Sequence, residues 1–240
     1  MSLYRSMHLI QDKEEKNLFL KSLREVKKPT VISFLNAHGI TMAQKKNNFS
    51  NNLQEADYLL RDGVGMAFLL RILGKSPGLN MNGTDLIPEI IKLFCNKKIA
   101  LCGTQDPWLS RSAIIIKETM GASIVTCIDG FQDESIYLEE LKHTEPDLVV
   151  LAMGMPRQEE ISSNLALSLD FPVVLINGGA ILDFMSNRFT RAPLFWRKIR
   201  LEWLYRFSQE PRRLFRRYFL GGFSFLFLTL KIMIQERINK

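Results

Sequence analysis

Several residues in this sequence are of a type and spacing suited to handling a polar ligand. Asn177-Gly178-Gly179 follows an apolar run from Pro172 to Ile176, and a helical pattern starts at once after it. A Gly-Gly turn between strand and helix offers backbone N–H groups to an anion or a sugar. Pro156-Arg157-Gln158-Glu159 opens another helix after a strand, which aims Arg157 and Gln158 at phosphate or sugar hydroxyls, with Glu159 as a favourable first-turn charge and nothing more. Asp62 stands between Tyr58-Leu59-Leu60 and glycines that leave it uncrowded, so it can act as general base on a substrate hydroxyl. Taken alone, a helix N-cap is the simpler role for it. Asn36, at the end of the run that starts at Pro29, can hydrogen-bond a sugar or the reacting hydroxyl. Arg191, beyond the Gly-Gly turn, joins the candidates for substrate binding.

The elements that must position these residues repeat along the chain. Lys98 to Gly103, Ser123 to Gly130, Asp147 to Gly154 and Pro172 to Gly178 are short apolar runs, each ending in glycine. Helical periodicity follows the first three, over Pro107 to Met120, Asp133 to His143 and Pro156 to Leu169. Continuous apolar strands alternating with amphipathic helices predict an α/β fold, a mostly parallel, Rossmann-like sheet with helices on both faces. Ligands of such sheets bind at the carboxyl edge of the strands. That adds Gly103 and Gly130 to Asn177, Gly178 and Gly179 as substrate-binding candidates. Earlier in the chain, Pro29 to Asn36 reads as a buried strand. Asp62-Gly63-Val64-Gly65 reads as a turn opening a helix over Met66 to Leu73, and Gly83-Thr84-Asp85 caps a helix running to about Cys95. Residues 1–28 read as an N-terminal extension, 29–192 as the core, and 193–240 as an appendage.

That appendage differs in composition. Of the net charge of +7, much lies in a late block containing Arg188, Arg191, Arg197, Lys198, Arg200, Arg206, Arg212, Arg213, Arg216 and Arg217. Such a block attracts phosphates of a substrate, a lipid headgroup or a nucleic acid. Trp196, Ile199, Trp203, Leu204 and Phe207 fall among these cations at helical spacing. The apolar stretch from Gly221 to Ile234 is shorter than a membrane span of about 20 residues. It reads as an interfacial helix, with a helix packed on the core as the alternative. Met1 to Lys28 is broken by charges and has no signal-peptide pattern, and Cys95, Cys102 and Cys127 read as buried free thiols of a reducing cytoplasm.

Some chemistries lack their signatures. His8, His38 and His143 are scattered, no Cys/His spacing resembles a zinc site, and no Asp-x-Asp pair is present to hold a divalent ion beside a sugar nucleotide. The P-loop, Gly-x-Ser-x-Gly and Gly-x-Gly-x-x-Gly patterns are missing too.

From about Asn36 to Arg217 the chain resembles the WecG/TagA/CpsF glycosyltransferases. The resemblance is carried by Asp62-Gly63, Gly83-Thr84-Asp85-Leu86, Asp129-Gly130-Phe131 and Met153 through Glu159, then by Asn177-Gly178-Gly179, Arg191-Ala192-Pro193 and Glu202 through Arg206. It implies an inverting transfer, with no metal cofactor, of N-acetylmannosamine or a related hexose from a UDP-sugar to a lipid-pyrophosphate-linked saccharide. Asp62 matches the family's proposed base, and Asn36 and Gln158 match residues of its pocket. Arg212, Arg213, Arg216 and Arg217 match an arginine-rich appendage thought to dock on the membrane and reach the pyrophosphate. The sequence departs at Phe34, where some members have threonine, and at Asn80, where some have arginine. The implied partners are the UDP-sugar, the lipid-linked acceptor and an anionic membrane on the cytoplasmic face, with no nucleic acid and with homo-oligomerisation open. The rival reading is a basic α/β protein that binds nucleic acid or membrane without transferring anything.

Overall fold

A computed structural model describes residues 3–193, 195–196, 201–209, 211, 215 and 221–238, the side chain of Arg206 excepted. Among them six strands form one sheet: β1 (Thr30–Leu35), β2 (Tyr58–Arg61), β3 (Lys98–Gly103), β4 (Ser123–Ile128), β5 (Leu148–Ala152) and β6 (Val174–Asn177). All pairs are parallel and the order is β2-β1-β6-β5-β3-β4. Every strand therefore ends on the same edge. β1, β5 and β6 are buried at every position, as interior strands covered on both faces must be. β4 lies at the sheet's margin and is only partly covered. Cys127 is consequently exposed, against the expectation of a buried thiol, while Cys102 in β3 is buried.

Period-two alternation assigns the strand side chains to two faces. Ile99, Leu101, Val150, Val174 and Ile176 pack with α1 (Lys13–Ser22), α5 (Gly83–Leu93), α6 (Trp108–Met120) and α9 (Ile181–Met185). Ala100, Cys102, Val149, Leu151 and Leu175 pack with α7 (Glu134–Thr144) and α8 (Arg157–Ser168). A third cluster joins Leu35 and Leu59 to α2 (Ala37–Ala43), α3 (Asn47–Glu55) and α4 (Gly63–Ile72). The N-terminal segment adds to these clusters through Leu3, Tyr4, Met7, Ile10, Phe19 and Leu23.

Two features depart from the sequence pattern. Tyr58-Leu59-Leu60 carries no glycine at its end, yet it forms β2 with Arg61. Arg61 is buried, and its guanidinium donates to the carbonyls of Pro77 (2.7 Å) and Gly78 (3.1 Å) in the loop after α4 and of Gly63 (2.9 Å) at its start, which ties the two together. Because β2 ends at Arg61, α4 begins at once and Asp62 lands on the sheet's carboxyl edge.

The described part of the tail contains α10 (Glu202–Gln209) and α11 (Gly221–Ile238). α11 packs on α2 and buries Phe225, Leu228 and Ile232 in the third cluster, while Phe223, Leu226, Phe227, Leu230 and Ile234 face outward. The packed-helix alternative is therefore realised on one face of α11. No helix among the described residues is long and apolar enough to cross a membrane.

Candidate active site

A cavity of about 600 Å³ opens along the carboxyl edge of the sheet, a size suited to a small ligand. Residues following all six strands contribute: Asn36 after β1, Asp62 after β2, Thr104 after β3, Gly130 after β4, Met153 after β5 and Gly178 after β6. Phe34, His38, Phe131, Asp183 and Arg188 complete much of its wall.

On one side stands a carboxylate. Asp62 occupies the N-cap position of α4 but makes no capping hydrogen bond with its side chain, so the simpler N-cap role does not hold. Asn36 caps α2 instead, accepting from the Gly39 N–H (2.9 Å), and its Nδ2 donates to Asp62 Oδ2 at 3.3 Å. Asn36 thus uses one end of its amide to hold a helix and the other to orient the carboxylate. Asn80, where the family pattern has arginine in some members, accepts from the Gly63 N–H at 2.8 Å and steadies the same turn.

On the opposite side stands a cation. Arg188 is paired with Asp183 (3.1 Å), whose Oδ1 also accepts from Thr104 Oγ1 at 2.7 Å. The guanidinium lies 5.5 Å from the Trp108 ring centroid and 5.4 Å from that of Phe189. Stacking and pairing together hold a planar group facing the cavity. Among the described lining residues it is the one guanidinium. Thr104 has a left-handed backbone (φ 47°), and its N–H and C=O bond Ala152 and Gly130, so its hydroxyl is fixed from both sides. The three strand ends meet closely here: a Cβ on Gly103 would fall 2.4 Å from the Ala152 oxygen, and one on Gly130 would fall 2.9 Å from Gly103 Cα. Among the described residues no group of three or more His, Cys, Asp or Glu side chains is placed to hold a metal ion.

Asp62 beside β2 and the Asp183-paired Arg188 beside β3 thus line one strand-edge cavity. The model of the glycosyl transferase WecG/TagA/CpsF family matches residues 6–239. The chain belongs to this family. Similar curated proteins include the N-acetylglucosaminyldiphosphoundecaprenol N-acetyl-beta-D-mannosaminyltransferase of Bacillus subtilis (strain 168), 29% identical over 188 residues, covering 76% of this chain and 73% of the relative. The protein of the same description from Bacillus spizizenii is 26% identical, with coverages of 71% and 68%. That from Staphylococcus aureus (strain MW2) is 24% identical, with coverages of 68% and 66%.

For a WecG/TagA/CpsF glycosyl transferase, the residues that matched by sequence divide into three groups. Asn36, Asp62, Gly130, Gln158, Asn177, Gly178 and Gly179 line the one cavity. Several of these nevertheless differ from expectation in what they bond. The Gly-Gly turn does not offer its N–H groups to a ligand, because Gly178 donates to the Leu151 carbonyl (2.6 Å) and Gly179 to Gln158 Oε1 (2.9 Å). Gln158 is 2% exposed, and its amide is engaged within the protein. Asn177 donates both amide hydrogens inward, to Ser33 Oγ (2.8 Å) and Ser162 Oγ (3.0 Å).

Gly103, Arg157 and Arg191 stay out of the lining. Gly103 serves the close approach of strand ends. Arg157 turns away to the Gln132 carbonyl, and Arg191 pairs with Asp85 at the start of α5 and approaches Glu202 of α10 at 3.8 Å. Arg191 thus fastens the start of the tail to the core. Arg212, Arg213, Arg216 and Arg217 lie outside the described residues. Thr104, Asp183, Arg188 and His38 carry no expectation from the sequence as site residues. Thr104 is one residue beyond the glycine that ends its strand. Arg188 is one of many cations in its block, and only the fold separates it from them.

Glu159 is the largest correction. Its carboxyl is 1% exposed, and burial pushes its pKa up to about 7. It is not a surface charge on a first turn.

Proposed function

We propose that the chain transfers a hexosyl group, N-acetylmannosamine or a related hexose, from a UDP-sugar to a lipid-pyrophosphate-linked saccharide of the bacterial cell envelope. The observation that carries this is the Asp62 carboxylate, held by Asn36 at the cavity wall and not spent on capping α4. The names of the relatives, N-acetylmannosaminyltransferases acting on a lipid-diphosphate-linked sugar, support the same acceptor chemistry and the N-acetylmannosaminyl group.

In this reading Asp62 takes the proton from the acceptor hydroxyl as its oxygen attacks the anomeric carbon. The bond from that carbon to the diphosphate oxygen breaks on the opposite face, so the configuration inverts and the electron pair leaves on UDP. No metal is required, because Arg188 meets the developing charge on the diphosphate; a donor held in place before charge develops is the main source of such stabilisation. Arg212, Arg213, Arg216 and Arg217 add to it from the tail. Phe131, 74% exposed at the β4 rim, offers an aromatic surface to the uracil ring of the donor.

The outward row of Phe223, Leu226, Phe227, Leu230 and Ile234 on α11 seats the enzyme peripherally on the cytoplasmic face of the membrane, beside the basic segment that precedes it. An acceptor carried by a lipid is met there. The test is UDP release over a panel of UDP-sugars with a synthetic lipid-pyrophosphate acceptor. One or more UDP-hexoses should give acceptor-dependent UDP release. No release with any donor would remove the transferase reading and leave a binding protein.

A further inference from the structure

The start of α8 holds a buried polar relay that the reaction above does not use. Gln158 Oε1 accepts from the backbone N–H of Gly154 (3.1 Å) in the turn after β5 and from that of Gly179 (2.9 Å) in the turn after β6. Its Nε2 donates to Glu159 Oε1 at 2.8 Å. Both glycines have left-handed backbones, φ 84° and 60°, so neither turn is held by the ordinary preferences of an L residue. Glu159 Oε2 has no hydrogen-bond partner among the described residues. Burying a carboxyl is costly, and an unpartnered oxygen makes it more so.

Only one orientation of the Gln158 amide satisfies both neighbours. Two N–H donors must face an oxygen, and the Glu159 acceptor must face the NH2 group. Were the amide reversed, its NH2 would confront two N–H groups and its oxygen would confront a carboxyl oxygen. Glu159 therefore anchors the far end of the amide whose oxygen the two N–H groups select, and the amide ties both turns together. Each turn borders the cavity: Gly154 and Met155 from one, Gly178 and Gly179 from the other.

We propose that Glu159 is a positioning residue that holds the β5 and β6 turns against the donor cavity through the side chain of Gln158. It touches no substrate, and its effect on donor binding rests on the transferase reading, whereas the relay itself does not. The experiment therefore reads both. Amide hydrogen exchange at Gly154 and Gly179 is measured by NMR in the full-length protein, with Val150 and Leu175 in the strands as controls. The donor KM is measured alongside.

Glu159→Met keeps the volume and removes the acceptor. It should speed exchange at Gly154 and Gly179 at least about tenfold, leave the strand controls unchanged, and raise the donor KM about 10- to 100-fold, the scale of an ångström-sized misplacement. Glu159→Gln keeps an acceptor oxygen and should restore slow exchange and a KM within a few-fold of wild type. Gln158→Met should reproduce the Glu159→Met values, and the double variant should add nothing. If Glu159→Met does not fold, Glu159→Asp withdraws the carboxyl by one methylene and should shift exchange the same way. Unchanged exchange at both glycines in Glu159→Met or Glu159→Asp overturns the relay. Equal loss in Glu159→Gln and Glu159→Met also overturns it, because the acceptor would then be irrelevant. Altered exchange with no turnover even in the wild type would leave the relay standing and remove the transferase reading alone.

Discussion

Asp62 and Glu159 are both carboxylates beside the N-terminus of a helix that follows a parallel strand, yet the regions around them use the charge in opposite ways. At the β2–α4 junction the loop is short, glycines surround the acid, and Asn36 orients it toward the cavity. At the β5–α8 junction the acid is the third residue of the helix rather than its N-cap, and α8 turns it inward, where it is 1% exposed. The first lines the cavity, and the second is buried behind its wall. Asp62 directly follows the last residue of β2, whereas Glu159 lies beyond the whole β5–α8 turn. Asp62 has extended backbone outside α4, while Glu159 is inside α8, where the helix sets its direction toward the interior.

Substitutions can break or sharpen this contrast. The largest expected effect is on turnover: Asp62→Asn should fold and bind UDP but lose transfer at least about 100-fold, the lower range for general-base catalysis. Near-normal turnover in a coupled UDP-release assay would remove Asp62 as base and erase the contrast.

Glu159→Gln should act on stability instead. The folded protein holds the Glu159 proton up to about pH 7, whereas the unfolded chain releases it near the ordinary 4.5. Between those values the unfolded state binds fewer protons, so stability falls as pH rises and stays at the lower level above pH 7. The glutamine variant lacks this loss. It should gain over wild type progressively from about pH 4.5 to 7, reaching at most about 3 kcal/mol. Urea melts at pH 5 and pH 8 measure it, and an equal difference at both would refute the buried titration.

Arg188→Ala should weaken UDP about tenfold or more, as losing one charge-assisted contact does, while uridine binding stays unchanged. Equal weakening of both ligands by calorimetry would place Arg188 away from the diphosphate. The smallest effect should come from Asn36→Ser, which can still cap α2 but no longer reaches Asp62. A several-fold fall in kcat with little change in UDP affinity is expected from steady-state kinetics.

Much of the sheet was legible because β1, β3, β5 and β6 are predominantly apolar without polar alternation, the mark of parallel strands covered on both faces. β2 was not, since four residues ending in an arginine resemble the end of a loop until the carbonyls of Pro77, Gly63 and Gly78 are seen around that arginine. The site followed the same division. Asn36 and Asp62 line the cavity, where their place at strand ends put them. Gln158, Asn177 and the two glycines of the turn reached the cavity as expected, but their hydrogen bonds go to Glu159, Ser33, Ser162 and Leu151. Ser33, Ser162 and Leu151 come from other elements than the residues they bond, and even the neighbouring Glu159 is a partner only because α8 buries it. The apolar stretch of α11 is a related case. Its composition fits a membrane surface, whereas its inner face is set by contact with α2.

That contact with α2 joins two parts of the molecule mechanically. α2 is seven residues long, its outer side carries α11, and its first turn is capped by the asparagine that steadies Asp62. Gly65 of α4 sits in the same joint, where an added Cβ would fall 2.8 Å from Ala37 and 3.5 Å from Phe225. Close-packed interiors transmit displacement rather than absorb it. A tilt of α11 therefore has a short, stiff lever to the carboxylate, one helix and one hydrogen bond in length.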